Sequence, residues 1–204
     1  TMRDTMQGNA KAQLWRLYTD ASVMVPMTSD LNTIISRQID MPIWKASPQA
    51  SALKTSDGTT NYRAVMDTLT ANVPAAGDGK TAAKPKRAVM IITDGVHDAM
   101  PRESNAVQPP WTHATHNTGP MDPKFCQKLK DKGVLVSVLY VTYIIPSNDG
   151  NWVKPFADKI VPNLKACASS PEMFFNAREP AEINKALQDM LKTVKYSGTV
   201  RLTN

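Results

Sequence analysis

The residues Ala88–Ile92 read AVMII without a polar interruption and run straight into Thr93-Asp94-Gly95. A strand with no apolar–polar alternation is buried on both faces, which calls for helices on both sides of a parallel sheet. A second run, Val134–Ile145, is broken only by Ser137, Thr142 and two tyrosines. No stretch approaches the roughly 18 consecutive apolar residues of a membrane span. The chain's 204 residues allow burial of about 70 % of the unfolded surface, enough for a core without staples.

Between and around these strands the apolar spacing alternates. Residues 8–20 place Ala12, Trp15, Leu17 and Tyr18 at helical spacing, and Ala21–Met27 reads as a short strand whose Pro26 confines it to an edge or an end. Thr28-Ser29-Asp30 is a helix-start signal ahead of Leu31, Ile34, Ile35 and Ile39. Residues 42–58 read as a loop, 61–69 as a helix and 74–86 as a Gly/Pro/Ala/Lys connector. Residues 97–121 form a Pro-containing polar excursion with all three histidines. Asp122-Pro123 opens a helix that stops at Gly133. Phe156–Cys167 is helical with Pro162 kinking or restarting it, Met173–Phe175 is a short strand, Glu182–Val194 an amphipathic helix, and Thr199–Leu202 a terminal strand. This order predicts an α/β fold: an open, doubly wound, mostly parallel sheet with helices on both faces. One domain covers 1–204, with 97–121 and 146–154 as insertions.

Charge narrows the functions. Twenty-four Lys plus Arg against eighteen Asp plus Glu leave +6, and the cations are not gathered, so no nucleic-acid partner is expected. The densest stretch, Lys80–Arg87 (KTAAKPKR), lacks interleaved aromatics and reads as a solvated linker. The first twenty residues carry Arg3, Asp4, Lys11, Arg16 and Asp20 and have no apolar core, so they do not read as a secretory leader. Cys126 and Cys167 form no CxxC pair, and spacing alone reads them as buried thiols. Neither a Gly-x-Gly-x-x-Gly nor a P-loop fingerprint is present, which rejects nucleotide binding.

Ligands of open α/β sheets sit outside the carboxyl ends of the strands. Two loops at that edge carry chemistry: Asp57-Gly58-Thr59-Thr60-Asn61 and Thr93-Asp94-Gly95. Together, Asp94 and a hydroxyl from Thr59 or Thr60 would suit a hard divalent cation, Mg²⁺ or Mn²⁺. The plainer reading is that Asp94 only caps a turn while Gly95 takes a positive φ. His113-Ala-Thr-His116 has ligand-like spacing, and His97 or Asp98 would complete a zinc set. That loop is the basis of the alternative function, a metal-assisted hydrolase using His97, His113 and His116. It has no activated nucleophile: no Gly-x-Ser-x-Gly elbow is present and no histidine is near either cysteine in sequence. Pro109, Pro110 and Trp111 would overhang the ligand edge as a gate or partner surface.

The apolar strand ending in Thr93-Asp94-Gly95, preceded by Gly58-Thr59-Thr60-Asn61, resembles two of the three segments of the metal-ion-dependent adhesion site of von Willebrand factor A domains. Val25-Pro26-Met27-Thr28-Ser29-Asp30 resembles the strand-to-helix step of bacterial members. Phe125-Cys126, Lys132-Gly133-Val134, Cys167-Ala168-Ser169, Phe174-Phe175-Asn176-Ala177 and Val200-Arg201-Leu202 resemble one subgroup, the TadG-type tight-adherence (Tad/Flp) pilus assembly proteins. These matches span about residues 21–203. The third segment, Asp-x-Ser-x-Ser, is absent; the nearest stretch, Asp4-Thr5-Met6, lacks its second serine.

The resemblance implies a non-enzymatic protein-interaction domain at the periplasmic side or cell surface, serving pilus assembly, anchoring or tip function and adhesion. Its partners would be pilus or envelope assembly components. It also implies a longer parent with an upstream inner-membrane anchor and the first central strand. Thr59, Thr60 and Asp94 would then form an incomplete cation site. Finally, it implies a Cys126–Cys167 disulfide, which in the chain-entropy model contributes roughly 4 kcal/mol.

Overall fold

The computed structural model describes residues 12–15, 23–30, 32–33, 60–99, 111–113, 116–142 and 152–199. Its strands are β1 (Ala12–Trp15), β2 (Val23–Thr28), β3 (Ala88–Thr93), β4 (Val96–Ala99), β5 (Trp111–His113), β6 (His116–Pro120), β7 (Leu135–Val141) and β8 (Phe174–Ala177). Its longer helices are α1 (Tyr62–Asn72), α2 (Lys124–Asp131), α3 (Ala157–Cys167) and α4 (Pro180–Thr199).

The two apolar runs of the sequence pair with each other. β3 lies parallel to β7 from Ala88↔Leu135 to Thr93↔Tyr140, and β7 lies parallel to β8 from Val138↔Phe174 to Val141↔Ala177. Strand alternation sends the two faces to different helices. Ile91, Val136, Val138 and Tyr140 pack with Val65, Met66 and Leu69 of α1, Leu129 of α2, and Ile160 and Leu164 of α3. Leu139, Ala177 and Met90 face Ala186, Met190, Ile183 and Leu187 of α4. The expected doubly wound sheet with helices on both faces is what forms.

Local chemistry sets the element ends. Asn61 caps α1, its side chain accepting from Ala64 N–H at 3.1 Å. Lys132 Nζ donates to Val73 O at 3.0 Å and also to Thr70 O, satisfying carbonyls at the other end of α1. Gly133, at φ +71°, ends the α2 segment where the sequence places a stop. At the start of the 32–33 helical turn, Asp30 Oδ1 accepts from Asn32 N–H at 3.0 Å and Oδ2 from Thr33 Oγ1 at 2.8 Å. α3 runs through Pro162 as one helix; Pro162 lies on its exposed side, where water can serve the carbonyl left without a donor.

Cys126 of α2 and Cys167 of α3 are joined by a disulfide with Cα atoms 5.2 Å apart, and both residues are fully buried. Just beyond it, Ser169 N–H donates to Val136 O at 2.9 Å while Val136 N–H donates to Ser169 Oγ at 2.8 Å. The end of α3 is thus bonded to the start of β7.

Three expectations are corrected. Residues 12–15, read within a helix over 8–20, form a strand antiparallel to β2, with Leu14↔Val25 and Trp15↔Val23. A short apolar run fits both periods, and pairing with a neighbouring strand decides for β. The excursion over 97–121 is not an irregular loop throughout: β4, β6 and β5 build a three-stranded antiparallel sheet within it. Its short strands, VHDA, WTH and HNTGP, are rich in polar residues, a composition that mimics a loop. Thr199 ends α4 instead of starting a strand. Residues 42–58 and 200–204, most of the 31–39 helix, and all but the last three residues of 146–154 lie outside the described residues. Among the described residues β3 is an end strand of its sheet.

Candidate functional site

Several polar side chains are buried around the carboxyl end of β3. Thr93 is 8 % exposed, Asn61 0 % and His97 6 %. Burying such groups costs free energy unless each finds a partner, and residues 60–62 supply several of the contacts here. Thr60 bridges Asp98 of β4, with Asp98 N–H donating to Thr60 O at 3.1 Å. Two residues later, Tyr62 opens α1 fully buried and shares a hydrogen bond between its hydroxyl and Thr93 Oγ1. The Tyr62 ring stacks on the His97 imidazole, centroids 6.1 Å apart.

Asp94 sits on this support. Its Oδ1 accepts from Val96 N–H at 3.1 Å, and Thr93 Oγ1 accepts from Gly95 N–H at 3.0 Å. Gly95 takes φ +78°, and a Cβ there would fall 2.6 Å from Ile160 Cγ2 and 2.9 Å from Leu164 Cδ1. Only glycine tolerates both the left-handed backbone and the approach of α3. Gly95 O in turn accepts from Met121 N–H at 3.1 Å, and Met121 O from Asn163 Nδ2 at 2.9 Å. The turn role read for Asp94 and Gly95 is therefore present.

The electrostatics follow burial. Burial lifts the Asp94 carboxyl above the ordinary 3.8, against the opposing pull of the Val96 N–H bond. Burial likewise lowers His97 from 6.5, partly countered by the Asp98 charge. Burial also raises the Tyr62 phenol, opposed by the bond to Thr93 and reinforced by the Asp94 charge. The site is a half-buried carboxylate on a neutral polar floor.

The threonine segment and the β3 terminus thus meet at one rim, though the link to the Asp94 turn is made by Tyr62, which the sequence reading passed over. Thr60 pairs with Asp98, and Thr59 lies outside the described residues. Thr93's hydroxyl is spent on Tyr62 and Gly95. The described donors for a cation are then Asp94's remaining oxygen and the Thr60 hydroxyl, short of the six or so oxygens that Mg²⁺ takes. His113 and His116 are backbone partners in the β5–β6 register, while His97 stacks on Tyr62. Among the described residues no group of three or more His, Cys, Asp or Glu comes together.

A second polar region lies along the same edge. Thr142, Phe175, Asn176, Ala177, Arg178, Glu182, Lys185, Ala186 and Asp189 line a cleft of about 580 Å³ beside β8 and α4. Thr142 Oγ1 bonds Asn176 Oδ1 at 2.9 Å, and Glu182 Oε2 accepts from Arg178 N–H at 2.8 Å and Glu179 N–H at 3.2 Å. Those two bonds hold Glu182 below the ordinary carboxylate range.

No protein-family model matches the chain, and no curated protein matches it in sequence. Its architecture does have solved counterparts. The vWF domain of the type V pili tip protein Mfa5 from Porphyromonas gingivalis superposes with a TM-score of 0.59 at 9 % identity, over 100 % of this chain and 86 % of that one. Proximal thread matrix protein 1 from the mussel byssus gives 0.52 at 13 % identity, over 94 % of this chain, which spans 38 % of that protein's length. At such identities the likeness speaks for the fold alone. The chain has the mixed α/β fold of a von Willebrand factor A-type domain.

Proposed function

We propose that this chain is a non-enzymatic protein-binding domain of a surface filament, of the Tad/Flp pilus type, acting at the periplasmic side or cell surface in assembly, anchoring or adhesion. What supports the reading is the Thr60–Tyr62 and Thr93–Asp98 rim, placed at the carboxyl edge of a von Willebrand A-type sheet. There a pre-positioned carboxylate awaits a partner group. The likeness in fold to a pilus tip domain points the same way.

In this reading Asp94 and a hydroxyl from Thr59 or Thr60 hold a divalent cation, Mg²⁺ or Mn²⁺, whose coordination a partner carboxylate completes. Because the described donors are few, affinity for the ion alone is weak. Calorimetric titration with Mn²⁺ in the presence and absence of excess acetate tests this. Heat that grows with acetate in the wild type and disappears in Asp94→Ala is expected. Identical heats from both proteins would leave a protein-binding domain that uses no metal. Chelator-sensitive turnover of a generic ester would instead restore the hydrolase alternative.

A further inference from the structure

We propose that Tyr62 is a positioning residue: through Thr93 its buried hydroxyl fixes the turn that presents the Asp94 carboxylate. A tyrosine that served only to fill the core would need no hydroxyl there, since a buried phenol is favourable over phenylalanine only when it is bonded. Tyr62 is 0 % exposed, its hydroxyl shares a hydrogen bond with Thr93 Oγ1, and the Gly95 amide also acts on it. That same oxygen receives the Gly95 N–H, so a single atom joins the first residue of α1 to both sides of Asp94.

The other restraints on the turn act from different directions. Leu164 and Ile160 press on Gly95 from α3, Met121 holds the Gly95 carbonyl, and Val96 N–H holds Asp94 Oδ1. None of them reaches Thr93. Without the Tyr62 bond the β3 side of the turn would lose this tie to α1, and the carboxylate, still held by the Val96 N–H, would be less firmly placed. That the carboxylate binds a partner rests on the function proposed above; that Tyr62 sets its position does not.

Amide hydrogen exchange on the whole chain decides the matter. In Tyr62→Phe, exchange at Gly95 and Val96 should quicken about tenfold, the loss of one hydrogen bond, with Leu139 and Met190 unchanged. Thr93→Val removes the Tyr62 bond together with the acceptor of the Gly95 N–H and should quicken Gly95 more than Tyr62→Phe does, with Tyr62→Phe adding little on that background, whereas Thr93→Ser keeps the oxygen and should exchange like the wild type. Uniform quickening across the core, or none at Gly95 and Val96, overturns the proposal. A parallel Mn²⁺ titration of Asp94→Ala judges the functional reading separately, since the exchange result stands whichever way that heat goes.

Discussion

The rim around Asp94 and the cleft around Arg178 lie on one edge of the same parallel sheet and carry similar residue types. Their organisation is opposite. At the rim, Asn61, Tyr62, Thr93 and His97 are nearly or fully buried; Tyr62 is bonded to Thr93 across 31 positions and stacked on His97, and Gly95 is pressed by α3. At the cleft, Arg178, Glu182, Lys185 and Asp189 are satisfied by neighbours within four residues: Glu182 by the 178–179 amides, Lys185 by Asp189 at 2.5 Å. A ligand at the rim would meet a carboxylate whose geometry is already set. A ligand at the cleft would have to break local pairs first. The difference teaches that polar residues at a sheet edge become a site only when tertiary packing holds them.

The largest expected effect tests that dependence on packing. The Cys126–Cys167 bridge closes a separation of 41 residues and ties α2 to the helix whose Ile160 and Leu164 press on Gly95. Replacing both cysteines with alanine should lower unfolding free energy by about 4 kcal/mol at most, read from urea midpoints. Amides of the Gly95 turn should lose protection before those of Lys185 and Asp189. If both regions lose it together, the contrast between them fails.

Next comes the glycine itself. Gly95→Ala forces a Cβ into α3 and a left-handed backbone on alanine, so a loss of about 2 to 3 kcal/mol is expected, again by urea unfolding. A milder cost would mean that α3 yields easily and that the turn is less firmly seated than its contacts suggest.

These expectations also show why parts of the molecule were legible and parts were not. Ala88–Ile92 announces itself because burial on both faces leaves no polar alternation, and Ile183, Leu187 and Met190 mark α4 by their stripe. Gly133 reads correctly because a left-handed stop depends on one residue's chemistry. Ala12–Trp15 was misread since four residues satisfy either period and only pairing with Val23–Thr28 decides. Tyr62 was missed for a related reason: as the first residue of a helix it looks like any aromatic core residue, and its polar tip matters only because folding brings Thr93, 31 positions on, against it. A buried tyrosine beside a Thr-Asn pair was the available signal. Thr60 drew attention as a ligand, and the backbone pairing with Asp98 is what the structure assigns it.

Acid should sharpen the comparison further. His97 has a folded-state pKa below its unfolded value of 6.5 because burial disfavours the cation. Its contribution to stability is therefore present above pH 6.5 and lost as pH falls through the lower, folded value. Asp94 works in the other direction: its raised pKa means that protonation on acidification relieves a buried charge. Comparing His97→Phe with wild type isolates the histidine. Phenylalanine keeps a ring against Tyr62, so the variant should lose less stability than wild type between pH 7 and pH 5, read from denaturation midpoints. Equal losses would show that His97 stays accessible enough to charge freely.

The smallest effect is expected at the cleft. Lys185 pairs with Asp189 at 2.5 Å, but the lysine side chain is 79 % exposed, and Lys192 stands 3.5 Å from the other carboxylate oxygen of Asp189. Together these cations hold Asp189 below the ordinary carboxylate range, with the Lys185 hydrogen bond the leading cause. Removing Lys185 leaves Asp189 a second cation and leaves Lys185's own site in water, where an ion pair gains little over solvation and is screened by salt. Lys185→Ala should accordingly shift the thermal midpoint by less than the scatter between repeat scans, at low salt as at physiological salt. A loss comparable to that of Gly95→Ala would mean that the cleft is held by tertiary structure as tightly as the rim. Arg178 and Thr142 would then rank beside Asp94 as anchors for a partner.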